Sequence, residues 1–438
     1  MRRFPVRALR WRRSQLLLLL FVPVNSSANS ANAGSKQTDA TPDSLADGAP
    51  ATAVKVTWPD IVRLVDQHPR LATAKFQTDA TRGAVKTAGA VPNPTLDGTV
   101  GHSRAQTGDA SRLEWGVTLS MPLGWIAQRG SRIASAEAEV DVSTAESAAL
   151  RRDVLLQLKT LFLHLAYEQA RVVSLAALDA QTVQLAQTVQ KRVEKGEVRP
   201  VEATRVEIEL EKVTTELESA RAALVARQAA LGLWLGSPAG KTIVAVADLG
   251  ALPVVLDLDR ARAKTRATHP AVVVARARRH ALAAELDIEK LARVPTYSLA
   301  GFTTNELDRR AYGVGLAVTL PLWNWNGGGI AQAEAKLAAG RKQAEAISLD
   351  LETTVIETQA ACQSSVQTAV RLGRNMVPRS ETVASVMERT YQLGEASLLE
   401  VIDSRRTLLD SKRLYLSALA QAQIDCTRLG VLVGEELP

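Results

Sequence analysis

The sequence predicts a mainly α-helical fold with a small β-barrel portion, built from two tandem repeats of helix, β-hairpin, long helix and helix. Three observations predict it. Landmark residues recur along the chain at nearly one offset. Long stretches carry a heptad-like apolar seam. Short segments between them alternate apolar with small or polar residues, a period of two.

Composition agrees with this. Of 438 residues, 46% are hydrophobic and only 4% aromatic. A chain rich in Ala, Leu and Val favours long helices over a β-sandwich. The two cysteines, Cys362 and Cys426, are too few for a disulfide framework or a Cys-rich metal site, and they read as helix-face residues. The five histidines are scattered, which disfavours a catalytic zinc cluster. The net charge of +7 falls to +1 once the six arginines of the first thirteen residues are set aside. A near-neutral body is not the footprint of a nucleic-acid binder.

At the N-terminus those arginines precede the apolar run Leu16 to Val22, closed by Pro23, and Ala31-Asn32-Ala33 stands before Gly34. This is the order of a secretory signal peptide, residues 1–33. The run is far shorter than the roughly 20 residues needed to span a bilayer. Residues 34–54, rich in Ala, Ser, Thr, Asp and Gly, read as a flexible leader.

The repeat follows. His68-Pro69 recurs as His269-Pro270, and Val91-Pro92 as Val294-Pro295. Pro122-Leu123 recurs as Pro321-Leu322, Gly196-Glu197 as Gly394-Glu395, and Leu231-Gly232 as Leu429-Gly430. All offsets lie between 198 and 203. The units are residues 55–240 and 253–436, joined by a linker at 241–252. In the first, a helix from Trp58 to Ala90 is stopped by Pro92 and Pro94. A second helical stretch, Ile126 to Glu194, is 69 residues long. At about 1.5 Å per residue it reaches roughly 100 Å. Its seam is Leu155, Leu158, Phe162, Leu165 and Val172; that of the last helix of the second unit is Leu399, Ile402, Leu409, Leu416 and Leu419. Helices this long must lie beside others, within or between chains. His68 and His269 occupy equivalent positions before proline, which argues for a structural role rather than metal ligation.

Strands are expected at 95–104 and 112–121, and at 296–305 and 311–320. Leu113, Trp115, Val117, Leu119 and Met121 share one face, as do Tyr312, Val314, Leu316, Val318 and Leu320. Alternation alone suits a sheet packed on helices equally well. The tryptophans favour a membrane: Trp115, Trp125, Trp323 and Trp325 lie in or just after these strands, and amphipathic rings prefer the interface. Four strands cannot close a barrel, since the smallest single-chain barrels have eight. The edges must therefore be paired by other subunits, in a number the strands do not specify.

These residues resemble the TolC-like family of outer-membrane efflux factors. The resemblance covers about residues 55–436. It rests on the repeat, on strand pairs ending in Met-Pro-Leu and Leu-Pro-Leu, and on YQLGEASLLEVIDSRRTLLDSKRLYLSALAQAQ. It implies a homotrimer whose twelve strands form one outer-membrane barrel, continued by an α-helical barrel in the periplasm. It also implies a periplasmic adaptor and an inner-membrane pump as partners, outer-membrane lipid around the barrel, and no catalytic centre. Within the family the chain looks most like the heavy-metal, CzcC-like branch, through PNPTL, LEWGVTLSMPLGWIAQRGSRIASAEAEV and RVEKGEVRPVEATRVEIELEKV. Members of that branch serve resistance-nodulation-division pumps that export divalent cations. The branch's Gly-Lys-Arg cluster is only partly kept in Ala127-Gln128-Arg129-Gly130.

The resemblance implies site residues too. Tyr391, Glu400 and Asp403 fall where the family places its periplasmic entrance, a ring of carboxylates that attracts cations. The turns Gly196, Glu197, Val198, Arg199 and Gly394, Glu395, Ala396, Ser397 fall at the adaptor-docking tips. The glycines themselves are expected to cap helices. Multidrug efflux or type I protein secretion is the alternative cargo, and a periplasmic coiled-coil scaffold is the alternative from another class. The sequence lacks G-x-S-x-G, H-E-x-x-H and P-loop patterns, so neither an enzyme nor a cofactor or resident metal is expected.

Overall fold

The computed structural model describes residues 53–104, 111–236, 242–306 and 309–434. The expected signal peptide, most of the leader and most of the first hairpin loop lie outside the described residues.

The first half begins with a short strand β1 (Val54–Val56) and helix α1 (Trp58–Leu64), then a 3-10 turn at Val65–Gln67. Helix α2 (Pro69–Gly89), strands β2 (Thr95–Arg104) and β3 (Ser111–Pro122) follow, with α3 (Trp125–Glu194) and α4 (Pro200–Trp234). The second half repeats the order. After the short strand β4 (Ile243–Ala245) come α5 (Leu258–Thr268), α6 (Pro270–Leu291), β5 (Thr296–Asn305) and β6 (Arg310–Thr319). Helices α7 (Gly327–Arg371), α8 (Val377–Gln392) and α9 (Leu398–Val433) complete it.

The helix expected over 58–90 is interrupted at His68. Proline disfavours helical backbone in the residue before it, and His68 is extended at φ −65°, ψ 133°. Its Nδ1 accepts from the Arg70 N–H at 3.3 Å, so the histidine caps α2. His269 repeats the device on α6, accepting from Ala271 at 3.1 Å. Both histidines thus have a structural task.

The two long helices differ. Helix α3 runs unbroken for 70 residues, about 105 Å at the standard rise. Its counterpart is divided by a π-helical turn at Leu372–Met376, just before Pro378. Proline has no N–H and its ring clashes with the carbonyl four residues back, so the ladder must widen or break there. Gly373 makes room for the Tyr415 ring of α9 at this point.

Leu155, Leu158, Phe162 and Leu165 are buried along α3 as the seam requires. They join Trp58, Ile61, Val65 and Leu231 in the largest core, flanked by the parallel pair β1–β4 that the sequence did not announce. Leu399 departs from its expected place: it is exposed and Leu398 is buried instead, while Ile402 and Leu419 are buried as expected. The seam of α9 therefore starts one residue away from the heptad count.

Cys362 on α7 and Cys426 on α9 were expected as separate helix-face residues. They are joined as a disulfide with Cα atoms 4.8 Å apart. Their sequence separation of 64 gives no local sign that the helices bring them together.

Strands β2, β3, β5 and β6 form one antiparallel sheet in that order. β3 is the hinge of the duplication, pairing with β2 of its own half and β5 of the other. Among the described residues, the outer edges of β2 and β6 are unpaired.

Candidate functional site: an inverted sheet and a helical tip

The register sets the two faces of the sheet. Val117 aligns with Gly98 on one side and Thr303 on the other, and Thr303 with Tyr312. Leu119 aligns with Leu96 and Gly301, and Gly301 with Val314. One face thus gathers Leu96, Val100, Trp115, Val117, Leu119, Leu299, Tyr312, Val314 and Leu316, and all are exposed, Val314 at 83%. The opposite face carries Glu114, Gly116, Thr118 and Ser120, which are half-buried or, for Gly116, buried. A sheet in water does the reverse, hiding its apolar row. An apolar face turned outward on an open antiparallel sheet is the arrangement of a membrane barrel.

The tryptophans mark the two ends of that face. Trp115 is exposed near the hairpin end of β3. Trp323 and Trp325 are exposed just past β6 at the helical end. Trp125, the first residue of α3, is half-buried, and its enclosed indole N–H meets no acceptor among the described residues. From Trp115 to Pro122 the strand advances about 24 Å at ~3.4 Å per residue. That matches the ~25 Å apolar band of outer-membrane barrels.

At the junction of sheet and helices, two arginines tie helix ends to what lies opposite. Arg129, the residue kept from the expected basic cluster, donates its Nε to the Gly89 carbonyl at the end of α2, 3.0 Å. Arg293 donates to the Trp325 carbonyl at 3.1 Å. Asn326, in the left-handed region at φ 53°, donates to the Glu289 carbonyl at 3.0 Å. Two of the three acceptors, the carbonyls of Gly89 and Glu289, are ones that a helix C-terminus leaves open.

The other end is the helical tip. Each long helix closes in the same way. Gly196 has φ 74° and donates to the Val193 carbonyl, while Glu197 donates to that of Arg192, both at 2.9 Å. Gly394 has φ 82° and donates to Tyr391, and Glu395 donates to Thr390. This is the paired bonding of a Schellman cap, for which glycine is the unstrained residue. Gly196, Glu197, Arg199, Gly394, Glu395 and Ser397 are exposed, whereas Val198 and Ala396 pack partly against the tip core. Glu197 pairs with Arg192 at 3.2 Å.

The three residues expected at the entrance do not all meet. Glu400 and Asp403 share an exposed face of α9. The Glu400 carboxylate also caps its own helix, accepting from the Ser397 N–H at 2.7 Å and hydroxyl at 2.9 Å. Those bonds, the backbone one first, hold its pKa below the usual glutamate value. Tyr391 instead sits in the tip core with Val189, Val206, Leu398 and Val401. The Arg192 guanidinium lies over its ring at 5.2 Å, and burial pushes the phenol's pKa up.

Two tip residues escaped the sequence reading. Arg405 donates to Glu388 of α8 at 2.7 Å and to the Gln181 carbonyl of α3 at 3.2 Å. Arg406 engages Glu209 of α4 through Nε, at 2.6 Å, and Nη2. Together they tie α9 to three other helices. Sequence separations of 17 to 224 residues leave no local signal for such pairs.

Comparison with known proteins accords with this geometry. Residues 61–237 and 262–435 match the family described as outer membrane efflux protein. The cobalt-zinc-cadmium resistance protein CzcC of Cupriavidus metallidurans is 27% identical over 370 residues, 83% of this chain and 86% of that protein. Crystal structures of CusC, concerned with folding and transmembrane channel formation, superpose with a TM-score of 0.73 at 17% identity. They cover 90% of this chain and 96% of CusC. The outer membrane protein VceC of Vibrio cholerae superposes at 0.68 and 17% identity, over 87% of this chain and 97% of VceC.

Proposed function

Since the chain belongs to the outer membrane efflux protein family, we propose that it is the outer-membrane duct of a tripartite system exporting divalent heavy-metal cations. The family is one of outer-membrane channels that extend into the periplasm. The observation that carries the channel reading in this chain is the sheet turned apolar side out, with both edges open. Three copies supply twelve strands and leave no edge. The likeness to a cobalt-zinc-cadmium resistance protein over most of both chains supports metal cations as cargo.

In this reading the chain performs no chemistry; it holds a path open. The exposed acids Glu400 and Asp403 recur three times around a narrow entrance and concentrate cations there. The tip turns at Gly196–Arg199 and Gly394–Ser397 dock a periplasmic adaptor, which joins the duct to a resistance-nodulation-division pump. Deleting the gene tests the cargo. Tolerance to cobalt, zinc or cadmium falls and returns with the cloned gene. A deletion strain that keeps its metal tolerance but becomes sensitive to dyes and antibiotics, or stops secreting a polypeptide, assigns the duct to those cargoes instead.

A further inference from the structure

We propose that the chain is a client of a periplasmic thiol oxidase, and that the Cys362–Cys426 bond replaces an aromatic core that the second half lacks. The comparison of the two halves carries this. Measured from the helix caps Thr57 and Asp257, the buried Trp58, Ile61 and Val65 correspond to Leu258, Ala261 and Thr265. At the same offset of 200 the buried Phe162 of α3 falls on the buried Cys362 of α7, as Leu155 falls on Val355. The first half therefore buries a tryptophan and a phenylalanine, about 150–250 Å² each, where the second has the half-buried Leu258 and a cysteine. Its cluster is Ala261, Val355, Leu429 and Val433 around the two cysteines. Polar ties help: Thr265 and Thr268 each donate to a carbonyl near the end of α9, Leu432 and Val433, at 3.2 Å. The cross-link sits inside this cluster of smaller side chains, and it pins α7 to α9 directly.

Burial also sets the order of events. Cys362 is 0% and Cys426 8% exposed, so no protein oxidant reaches either sulfur once the helices have packed. A thiolate must be accessible to attack a disulfide. Oxidation therefore precedes or accompanies the docking of α9 on α7. One cysteine thiolate attacks the oxidase's disulfide and forms a mixed disulfide. The second then attacks that bond, making Cys362–Cys426 and releasing the oxidase as a dithiol. Two electrons and two protons pass from the pair to the oxidant. The periplasm is a compartment in which such bonds form and persist.

The test reads thiols and folding, not transport, so it stands or falls apart from the efflux reading. Protein from the outer membrane is acid-quenched, denatured and alkylated. No thiol is expected to react, and reductant applied to the folded protein is expected to expose none until denaturant is added. In cells lacking the thiol oxidase, folded wild type falls severalfold. The variant Cys362→Val with Cys426→Ala keeps core volume without the bond. Its level becomes indifferent to the oxidase, and its thermal transition drops by about 5 °C or more. Two reactive thiols in the folded wild type would overturn the proposal. So would wild type whose level is unchanged without the oxidase and whose transition equals the variant's.

Discussion

Glu400 carries two tasks at once. Its carboxylate caps α9 and, beside Asp403, contributes charge to an exposed face. The capping bonds lower its pKa, so the stability they contribute is fully present above the ordinary glutamate value. It is lost only as pH falls through the lowered, folded value. Glu400→Gln with Asp403→Asn separates the tasks, because glutamine still accepts the Ser397 bonds. In planar bilayers this variant is expected to lose cation preference and block by multivalent cations, with assembly intact. The difference should shrink as salt rises, since screening shortens the reach of exposed charge. Conductance and selectivity equal to wild type at low salt would remove both residues from the entrance. In the main core, Phe162→Ala is expected to cost about 3–5 kcal/mol through its cavity, read as a lower thermal transition of the detergent-solubilised protein.

Among elements, the clearest asymmetry is between the unbroken α3 and the divided α7–α8. The π turn and Pro378 remove regular bonds from the second helix only. Amides of residues 372–377 are therefore expected to exchange faster than those of residues 174–179 in α3. Equal protection at the two places would show that the π turn is as tight as a regular one. Arg405 acts on the segment just beyond. Its side chain is largely enclosed and holds Glu388, so Arg405→Leu leaves that carboxylate without its partner and frees one side of α8. Hydrogen exchange across residues 384–392 should quicken while α2 and α6 stay unchanged. A profile identical to wild type would make the pair a surface contact of little weight.

At the scale of the whole molecule, the sheet cannot be complete in one copy. Strands β2 and β6 present unpaired edges beside an exposed apolar face, which in water invites aggregation. Association of three copies is expected, and native mass spectrometry of the detergent-solubilised protein should give three times the protomer mass. A monomer with a closed barrel would refute it. Export comes first, and the Ala31-Asn32-Ala33 site predicts a mature chain beginning at Gly34. An intact mass that still includes residues 1–33 would contradict that cleavage.

Periodicity made the strands and long helices legible, because the pleat and the helix turn impose periods of 2 and 3.6 on whatever must face one environment. The repeated landmarks showed that the architecture occurs twice, and the recurrence of His68-Pro69 as His269-Pro270 pointed to a structural position, although the break it makes in the helix over 58–90 was not read. The alternation of Leu113 to Met121 showed which residues share a face; it could not say whether water or lipid lay against that face. Only the folded sheet decided it, by leaving the apolar row uncovered. The same division runs through the tip. Gly196 and Gly394 were readable as caps because a helix ends locally, within a few residues. Tyr391 going into the core, Arg405 reaching Glu388, Arg406 reaching Glu209 and Cys362 meeting Cys426 were not readable. Each depends on which helices lie side by side and in what rotation. That is fixed by packing between segments far apart in the chain, and no spacing along one segment records it.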